Sequence, residues 1–153
     1  MPAPPTPRSK AKADRRAALL MAAAQLFAER GFERVSLEEL GAAVGVSGPA
    51  VYRHFPSKQA VLGSLLTGVS DGLLAGGQAV LDRGAAPTEL LRELVAFHVT
   101  FALEQPDVIR VQDRELESLD ETDRHAVRAL QRRYVEIWVG VLGQVRPGES
   151  PAG

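Results

Sequence analysis

The side chains with the clearest chemistry lie in one short stretch, residues 46–58. Among them are Tyr52, Arg53, His54 and Lys58, each of which carries an N–H or O–H donor. The same stretch predicts a short exposed helix, and a short helix beside phosphate-seeking side chains is the geometry that enters the major groove of DNA. The chemistry indicated is therefore non-covalent recognition of a polyanion.

Catalytic chemistry is not indicated. A hydrolase or transferase needs a nucleophile, a base and an oxyanion donor, or a set of metal ligands. The chain has no cysteine, which excludes a disulfide framework and a thiolate metal site, and its three histidines are scattered. We therefore expect no enzyme activity, no metal ion and no cofactor. The lack of cysteine permits a reducing cytoplasm, where we expect the protein to reside.

Three serines predict the starts of three helices in the first part of the chain. Ser36 opens a capping box, in which its hydroxyl accepts from the N–H of Glu39 and the Glu39 carboxylate reaches back to the N–H of Ser36. Gly45 is typical of the left-handed residue that ends a helix. Ser47 and Ser57 then predict two further N-caps. Three starts so close together indicate a compact module of short helices.

The net charge of −1 hides an asymmetry. Residues 1–58 hold nine Lys/Arg against five Asp/Glu, a charge of +4, and residues 59–153 hold nine against fourteen, a charge of −5. A basic module on an acidic body suits a protein that touches a polyanion at one end. Ordinary solvated surface is the alternative interpretation of this pattern.

Residues 1–12 are predicted to form a disordered basic N-terminal arm, because they begin with a proline-rich run. The basic residues in and just after this arm are Arg8, Lys10, Lys12, Arg15 and Arg16. Such residues grip phosphates or enter the minor groove of DNA. The alternative is a solubilising tail.

Residues 15–28 superficially resemble a twin-arginine export signal, because two arginines precede an apolar run. Gln25 interrupts the run, which is too short to cross a bilayer. We interpret it as a buried helix. No other segment is predicted to cross a membrane.

Six short segments carry a resemblance to a known family: residues 16–20 (RAALL), 26–32 (LFAERGF), 36–37 (SL), 45–47 (GVS), 52–55 (YRHF) and 57–58 (SK). Together they resemble the N-terminal domain of the TetR family of bacterial transcriptional regulators. The resemblance implies an all-α fold, with a three-helix DNA-binding module containing a helix-turn-helix over residues 13–62. A long helix then leads into a helical effector-binding body over residues 63–146. Residues 147–153 are predicted to be a flexible tail, in place of the two helices that usually end the family fold.

The resemblance also implies roles for individual residues. Side chains expected at DNA phosphates are Ser36, Ser47, Tyr52, His54 and Lys58. Base readout would fall to Gly48, Pro49, Ala50 and Arg53. Pro49 and Ala50 offer only apolar surface, for instance to a thymine methyl, whereas Arg53 could fork onto O6 and N7 of guanine. Gly48 has no side chain with which to read a base.

Helical spacing predicts a long helix from residue 57 to about 82 and three more that open near residues 87, 107 and 120. Gly68, Gly72 and Gly76 recur every fourth residue in the long helix. They indicate close packing against a neighbour or, alternatively, a compliant connector. In the family the body encloses an effector, and its candidate wall is Phe97, His98, Phe101, Val108, Tyr134 and Trp138. Plain core packing is the alternative for each of these six.

We therefore predict a DNA-binding transcriptional regulator, a ligand-responsive repressor that binds a double-stranded DNA operator. Its effector is an unknown small molecule, which the apolar wall suggests is itself apolar or amphipathic. The intact protein is expected to be a homodimer, whereas this short chain alone is not. The alternative is a helical small-molecule-binding protein that has lost sequence-specific DNA binding.

Overall fold

The computed structural model describes residues 3–146. Over these residues the chain forms seven α-helices and no β-strand. Two short 3₁₀ turns, Phe32–Arg34 and Leu116–Ser118, lie between helices. The helices are α1 (Pro7–Arg30), α2 (Leu37–Ala43), α3 (Gly48–His54), α4 (Lys58–Asp82), α5 (Pro87–Glu104), α6 (Pro106–Glu115) and α7 (Glu121–Val145). The predicted all-α fold is confirmed, and the predicted tail at residues 147–153 lies outside the described residues.

The serine caps are confirmed. The hydroxyls of Ser36, Ser47 and Ser57 accept hydrogen bonds from the N–H three residues on, at 3.1, 3.4 and 3.1 Å. The second half of the predicted capping box is wrong. The Glu39 carboxylate does not reach the Ser36 amide, because it accepts from the Ser36 hydroxyl at 3.3 Å and pairs with Arg30 at 2.8 Å.

The predicted disorder of residues 1–12 is also wrong for residues 7–12. Helix α1 begins at Pro7, and the hydroxyl of Thr6 accepts from the N–H of Ser9 at 3.1 Å. Proline in the first turn loses no hydrogen bond and has the right φ for a helix, so a Thr-Pro pair is a favourable start. Lys10 and Lys12 are therefore helical residues.

The first four helices share one hydrophobic core with part of the body. Phe27 and Phe32 meet edge to face with ring centroids 5.3 Å apart, and Phe55 and Leu62 are fully buried beside them. Residues of α6 and α7, such as Val108 and Val127, belong to the same cluster. The core therefore crosses the predicted boundary between residues 62 and 63. A smaller cluster, built on Val80, Leu90, Leu94 and Val141, holds the far ends of α4, α5 and α7.

Helix α4 is the central element, packing against α1, α5, α6 and α7. It is long and apolar enough to cross a membrane by length and composition, which the sequence-based prediction did not recognise. Most of its buried apolar residues, from Val61 to Val80, lie in the two clusters described above, as expected of a core helix. Helix α4 is thus accounted for by packing within the protein.

The glycines of α4 allow close approach at particular places. A Cβ atom at Gly76 would overlap the Phe97 ring, and one at Gly72 would lie 3.4 Å from Phe101. The predicted close packing is confirmed at Gly76, whereas at Gly72 an added methyl group would make an ordinary van der Waals contact. At Gly68 it is wrong, because no atom lies within 4 Å of the Cβ position.

Candidate DNA interface and ligand cavity

Helix α3 is held by a tight turn against α2. Gly45 adopts φ +73°, and the N–H of Val46 donates to the carbonyl oxygen of Gly41 at 2.8 Å. Val51 is the buried residue of α3, and a Cβ atom at Gly41 would overlap both Val51 and the Val46 carbonyl. Sequence reasoning missed Gly41, although a glycine inside a helix of seven residues signals a close contact.

The predicted readout residues all lie in α3. Gly48, Pro49 and Ala50 form its first turn, where Pro49 is exposed and the other two are half-buried. Arg53 is exposed in the last turn. One side of α3 is therefore packed through Val51, and the other side offers apolar surface and a guanidinium to solvent.

Tyr52 is 51% exposed, and its hydroxyl is already engaged. It donates to Oε1 of Glu38, a residue of α2, at 3.0 Å. This hydrogen bond and the negative charge of Glu38 raise the pKa of Tyr52. A DNA phosphate would have to displace Glu38 to accept from Tyr52.

His54 ends α3 beside the basic residues of α1. Burial lowers the pKa of His54, and the positive charges of Arg15, Lys12, Arg16 and Arg53 lower it further. Within the described part of the chain, Nδ1 of His54 is buried and has no hydrogen-bond partner. The C-terminal end of α3 and the N-terminal half of α1 together form a positively charged surface.

Two other basic residues, Arg16 and Lys58, are already engaged in contacts within the protein. The guanidinium of Arg16 lies 4.4 Å from the centroid of the Phe55 ring and donates to Oγ of Ser64 at 3.2 Å. Nζ of Lys58 donates to the carbonyl oxygen of Phe32 at 2.7 Å and lies 4.3 Å from that ring centroid. Lys58, predicted at a phosphate, thus stabilises the turn after α1 in this structure.

The six residues predicted to form one effector wall do not do so. His98, Tyr134 and Trp138 form an aromatic cluster, in which Nδ1 of His98 and the Tyr134 hydroxyl are hydrogen-bonded at 2.9 Å. Phe101 and Val108 line a different cavity, and Phe97 lies against Gly76. The prediction failed because helical spacing places residues on one helix but does not show which neighbouring helix each will meet.

The aromatic cluster forms one side of a cavity of about 440 Å³ between α4, α5, α6 and α7. Polar groups reach it from three of these helices: Ser70, Gln112 and Gln131. The Ser70 hydroxyl donates to Oε1 of Gln112 at 3.4 Å, and burial raises the pKa of Tyr134. Sequence reasoning missed these polar residues, although a serine on the buried side of α4 was a usable signal. We refer to this space as the aromatic cavity.

Comparison with known proteins gives two matches to described families. Residues 19–65 match "Bacterial regulatory proteins, tetR family", and residues 84–149 match "Tetracyclin repressor-like, C-terminal domain". The chain is 30% identical to PfmR of Thermus thermophilus, a TetR family transcriptional regulator. With a TM-score of 0.81, the match covers 88% of this chain and 76% of that one. The chain belongs to the TetR family.

Curated relatives of this TetR family member include proteins of two names. It is 28% identical to the HTH-type transcriptional repressor KstR2 of Rhodococcus jostii, over 93% of this chain and 70% of that protein. It is 33% identical to the nucleoid occlusion factor SlmA of Serratia proteamaculans, over 91% of this chain and 68% of that protein. The chain thus spans about two thirds of their length. As a TetR family protein it is a DNA-binding transcriptional regulator.

Proposed function

We propose that this TetR family protein is a repressor whose binding to a double-stranded DNA operator is released by a small molecule. The proposal that the protein binds DNA rests on the exposed face of α3, which lies beside the positively charged side chains of α1. Arg53 lies on α3, and Lys12 and Arg15 lie close enough to His54 to lower its pKa. This arrangement supports insertion of α3 into a major groove while α1 contacts the backbone.

Within that interface we assign base readout to Arg53, with Gly48, Pro49 and Ala50 approaching the bases as a smooth apolar turn. The planar guanidinium can donate two hydrogen bonds to guanine, whereas the first turn of α3 can only contact a methyl group. His54 and Tyr52 are proposed at phosphates. Ser47 uses its oxygen as a helix cap and can still donate its O–H to a phosphate, whereas the O–H of Ser36 would first have to leave the Glu39 carboxylate.

The aromatic cavity is the proposed effector site. Its size is in the usual range for small-molecule pockets, and its lining combines apolar walls with a few polar groups. A ligand there would touch α6, whose last turn holds the end of α1. Nη1 of Arg114 donates to the carbonyl of Ala28 at 3.0 Å. A shift of α6 caused by the effector can therefore displace α1.

We further propose that the intact protein is a cytoplasmic homodimer. Helix-turn-helix proteins bind paired half-sites about one helical turn apart, which requires two copies of α3. Exposed apolar residues recur along two neighbouring helices: Val95, Val99 and Leu103 on α5, and Val135, Val139 and Leu142 on α7. Such surface favours association. Sedimentation with and without operator measures the stoichiometry, and a single chain per operator would contradict this proposal.

Selection of bound duplexes from a random pool, followed by titration of the selected duplex at several salt concentrations, tests the main proposal. We expect a defined sequence motif and an affinity that falls steeply with salt, because bound cations on DNA are released. If the protein binds no duplex at low salt, the alternative of a ligand-binding protein without DNA binding is favoured. The single tryptophan, Trp138, lies in the aromatic cavity, so its fluorescence reports candidate effectors.

A further inference from the structure

A second cavity, of about 460 Å³, lies where α1 meets the body, away from the aromatic cavity. Its apolar lining comes from four helices: Leu20 and Met21 of α1, Leu65 and Val69 of α4, Phe101 of α5, and Val108 of α6. The volume suits a small molecule. We call this space the junction cavity.

Small residues keep the junction cavity from being filled. The Cβ position of Gly68 faces no atom within 4 Å, and Ala17 and Ala24 contribute only methyl groups from α1. Met21 lies at the cavity and is 75% exposed. An unbranched thioether side chain adapts readily to different apolar ligands. Space, apolar walls and an adjustable side chain are therefore present together.

The charges at the junction cavity have one sign. Among the described residues that line it, the charged ones are Glu104, at the end of α5, and Asp107, in the first turn of α6. Within residues 3–146 neither carboxylate forms an ion pair or a side-chain hydrogen bond. A carboxylate or phosphate ligand would meet repulsion here, whereas an ammonium or amidinium group would gain two partners.

We propose that the junction cavity binds an amphipathic organic cation, with its hydrocarbon part against Leu20, Met21 and Phe101. Its cationic group lies beside Glu104 and Asp107. The occupant contacts α1, whose N-terminal half carries Lys12 and Arg15, and α6, whose last turn is bonded to the end of α1. Occupancy of the cavity therefore changes the affinity of the protein for DNA. This change rests on the proposed function, whereas binding of the cation to the cavity does not.

Calorimetric titration without DNA tests the site, with decyltrimethylammonium as the cation and decanoate as its anionic match. We expect the wild-type chain to bind the cation and to bind decanoate much more weakly. The variant Glu104→Gln/Asp107→Asn should bind the cation about fivefold more weakly, as expected for two partly exposed ion pairs. The control Asp113→Asn/Glu136→Gln loses the same charge elsewhere and should bind as the wild type does. Equal affinity for the cation in all three proteins would overturn the proposal.

A second variant separates the site from a general effect of charge. Gly68→Leu fills the cavity, and because leucine favours a helix more than glycine does, the protein should not unfold more easily. We expect this variant to lose cation binding and to keep its DNA affinity in the presence of the cation, whereas the DNA affinity of the wild type changes. Undiminished binding of the cation by Gly68→Leu would contradict the site. If the wild type binds the cation but no DNA, the proposed function fails and the site stands.

Discussion

The backbone N–H of Phe32 donates to Oε1 of Glu115 at 3.3 Å, across 83 residues of sequence. The carbonyl oxygen of the same residue accepts from Nζ of Lys58 at 2.7 Å. One residue, at the turn after α1, is thus held by the last residue of α6 and the first residue of α4. Together with the bond from Arg114 to Ala28, this makes the turn a direct link between the body and the DNA-binding module.

Replacing Glu115 by alanine should weaken this link. The N–H of Phe32 would lose a charged acceptor in a partly buried place, which costs about 1 kcal/mol of the free energy of unfolding. Urea denaturation measures the loss. Asp113→Asn, on an exposed position of the same helix, is the control and should change the stability little. Equal midpoints for the two variants would show that the Glu115 contact does not stabilise the fold.

Arg53→Ala should weaken the base preference at one position of the operator, because the two hydrogen bonds from the guanidinium to guanine are lost. Arg53→Lys is a sharper variant, since it keeps the charge and removes the planar pair of donors. Selection from a random duplex pool measures both. If Arg53→Lys has the same base preference as the wild type, Arg53 does not recognise a base and contacts only the DNA backbone.

Glu38→Gln should strengthen binding to all duplexes severalfold. The substitution removes a negative charge from the DNA-facing side and weakens the hold on the Tyr52 hydroxyl, which then becomes available to a phosphate. Glu33→Gln removes the same charge from another exposed position and serves as the control. If Tyr52 contacts a phosphate, adding Tyr52→Phe to Glu38→Gln should cancel part of the gain in DNA affinity. If the full gain persists in the double variant, it comes from the removal of the Glu38 charge alone.

His54 should make both stability and DNA binding depend on pH. Its pKa in the fold lies below the ordinary value of 6.5, so the unfolded chain binds more protons between the two values. The contribution to stability is therefore fully present above pH 6.5 and is lost as the pH falls below it. A nearby phosphate favours the protonated ring. The affinity for DNA should therefore rise as the pH falls through the same range.

His54→Gln is the matching variant for both effects, since glutamine keeps a donor without titrating. Stability and DNA affinity are measured on each side of pH 6.5 for both proteins. Parallel pH dependence in the wild type and the variant would assign the effect to other groups.

Two glycine-to-alanine changes should have opposite signs. At Gly41 the added methyl group overlaps Val51 and the Val46 carbonyl, and overpacking of this kind costs about 1–3 kcal/mol. At Gly68 the space is open, and alanine in a helix interior is more favourable by up to about 1 kcal/mol. Thermal unfolding of the pair measures the contrast, each variant serving as the control for the other. A loss of stability in Gly68→Ala would mean that the helices close on this position in solution.

The local features of this fold were largely predictable. Serine caps and helix-starting prolines act on neighbouring residues, so Ser36, Ser47, Ser57 and Pro87 marked helix starts that the structure confirms. The same reasoning should have recognised the Thr6-Pro7 start of α1. A proline-rich segment suggests disorder, but one threonine before one proline was enough to begin the helix.

Contacts between distant residues were not predictable in the same way. Nothing in the spacing of Phe97, Phe101 and His98 shows that the first packs on Gly76, the second lines the junction cavity, and the third meets Tyr134. The bond from Lys58 to Phe32 likewise depends on how α4 approaches the end of α1. Charge and donor type indicated which side chains could bind phosphate, but tertiary packing determines which remain available.

Helix α1 is a single uninterrupted element of 24 residues. Its length determines how far its basic end moves when the helix tilts. At about 1.5 Å per residue it is about 36 Å long. If α1 pivots at its C-terminal end, where Arg114 donates to the carbonyl oxygen of Ala28, a tilt of about 5° moves the basic end by about 3 Å. Hydrogen bonds tolerate only a few tenths of an ångström. In the proposed mechanism, a small motion of α6 that tilts α1 would therefore move the basic end of α1 further than a phosphate contact tolerates.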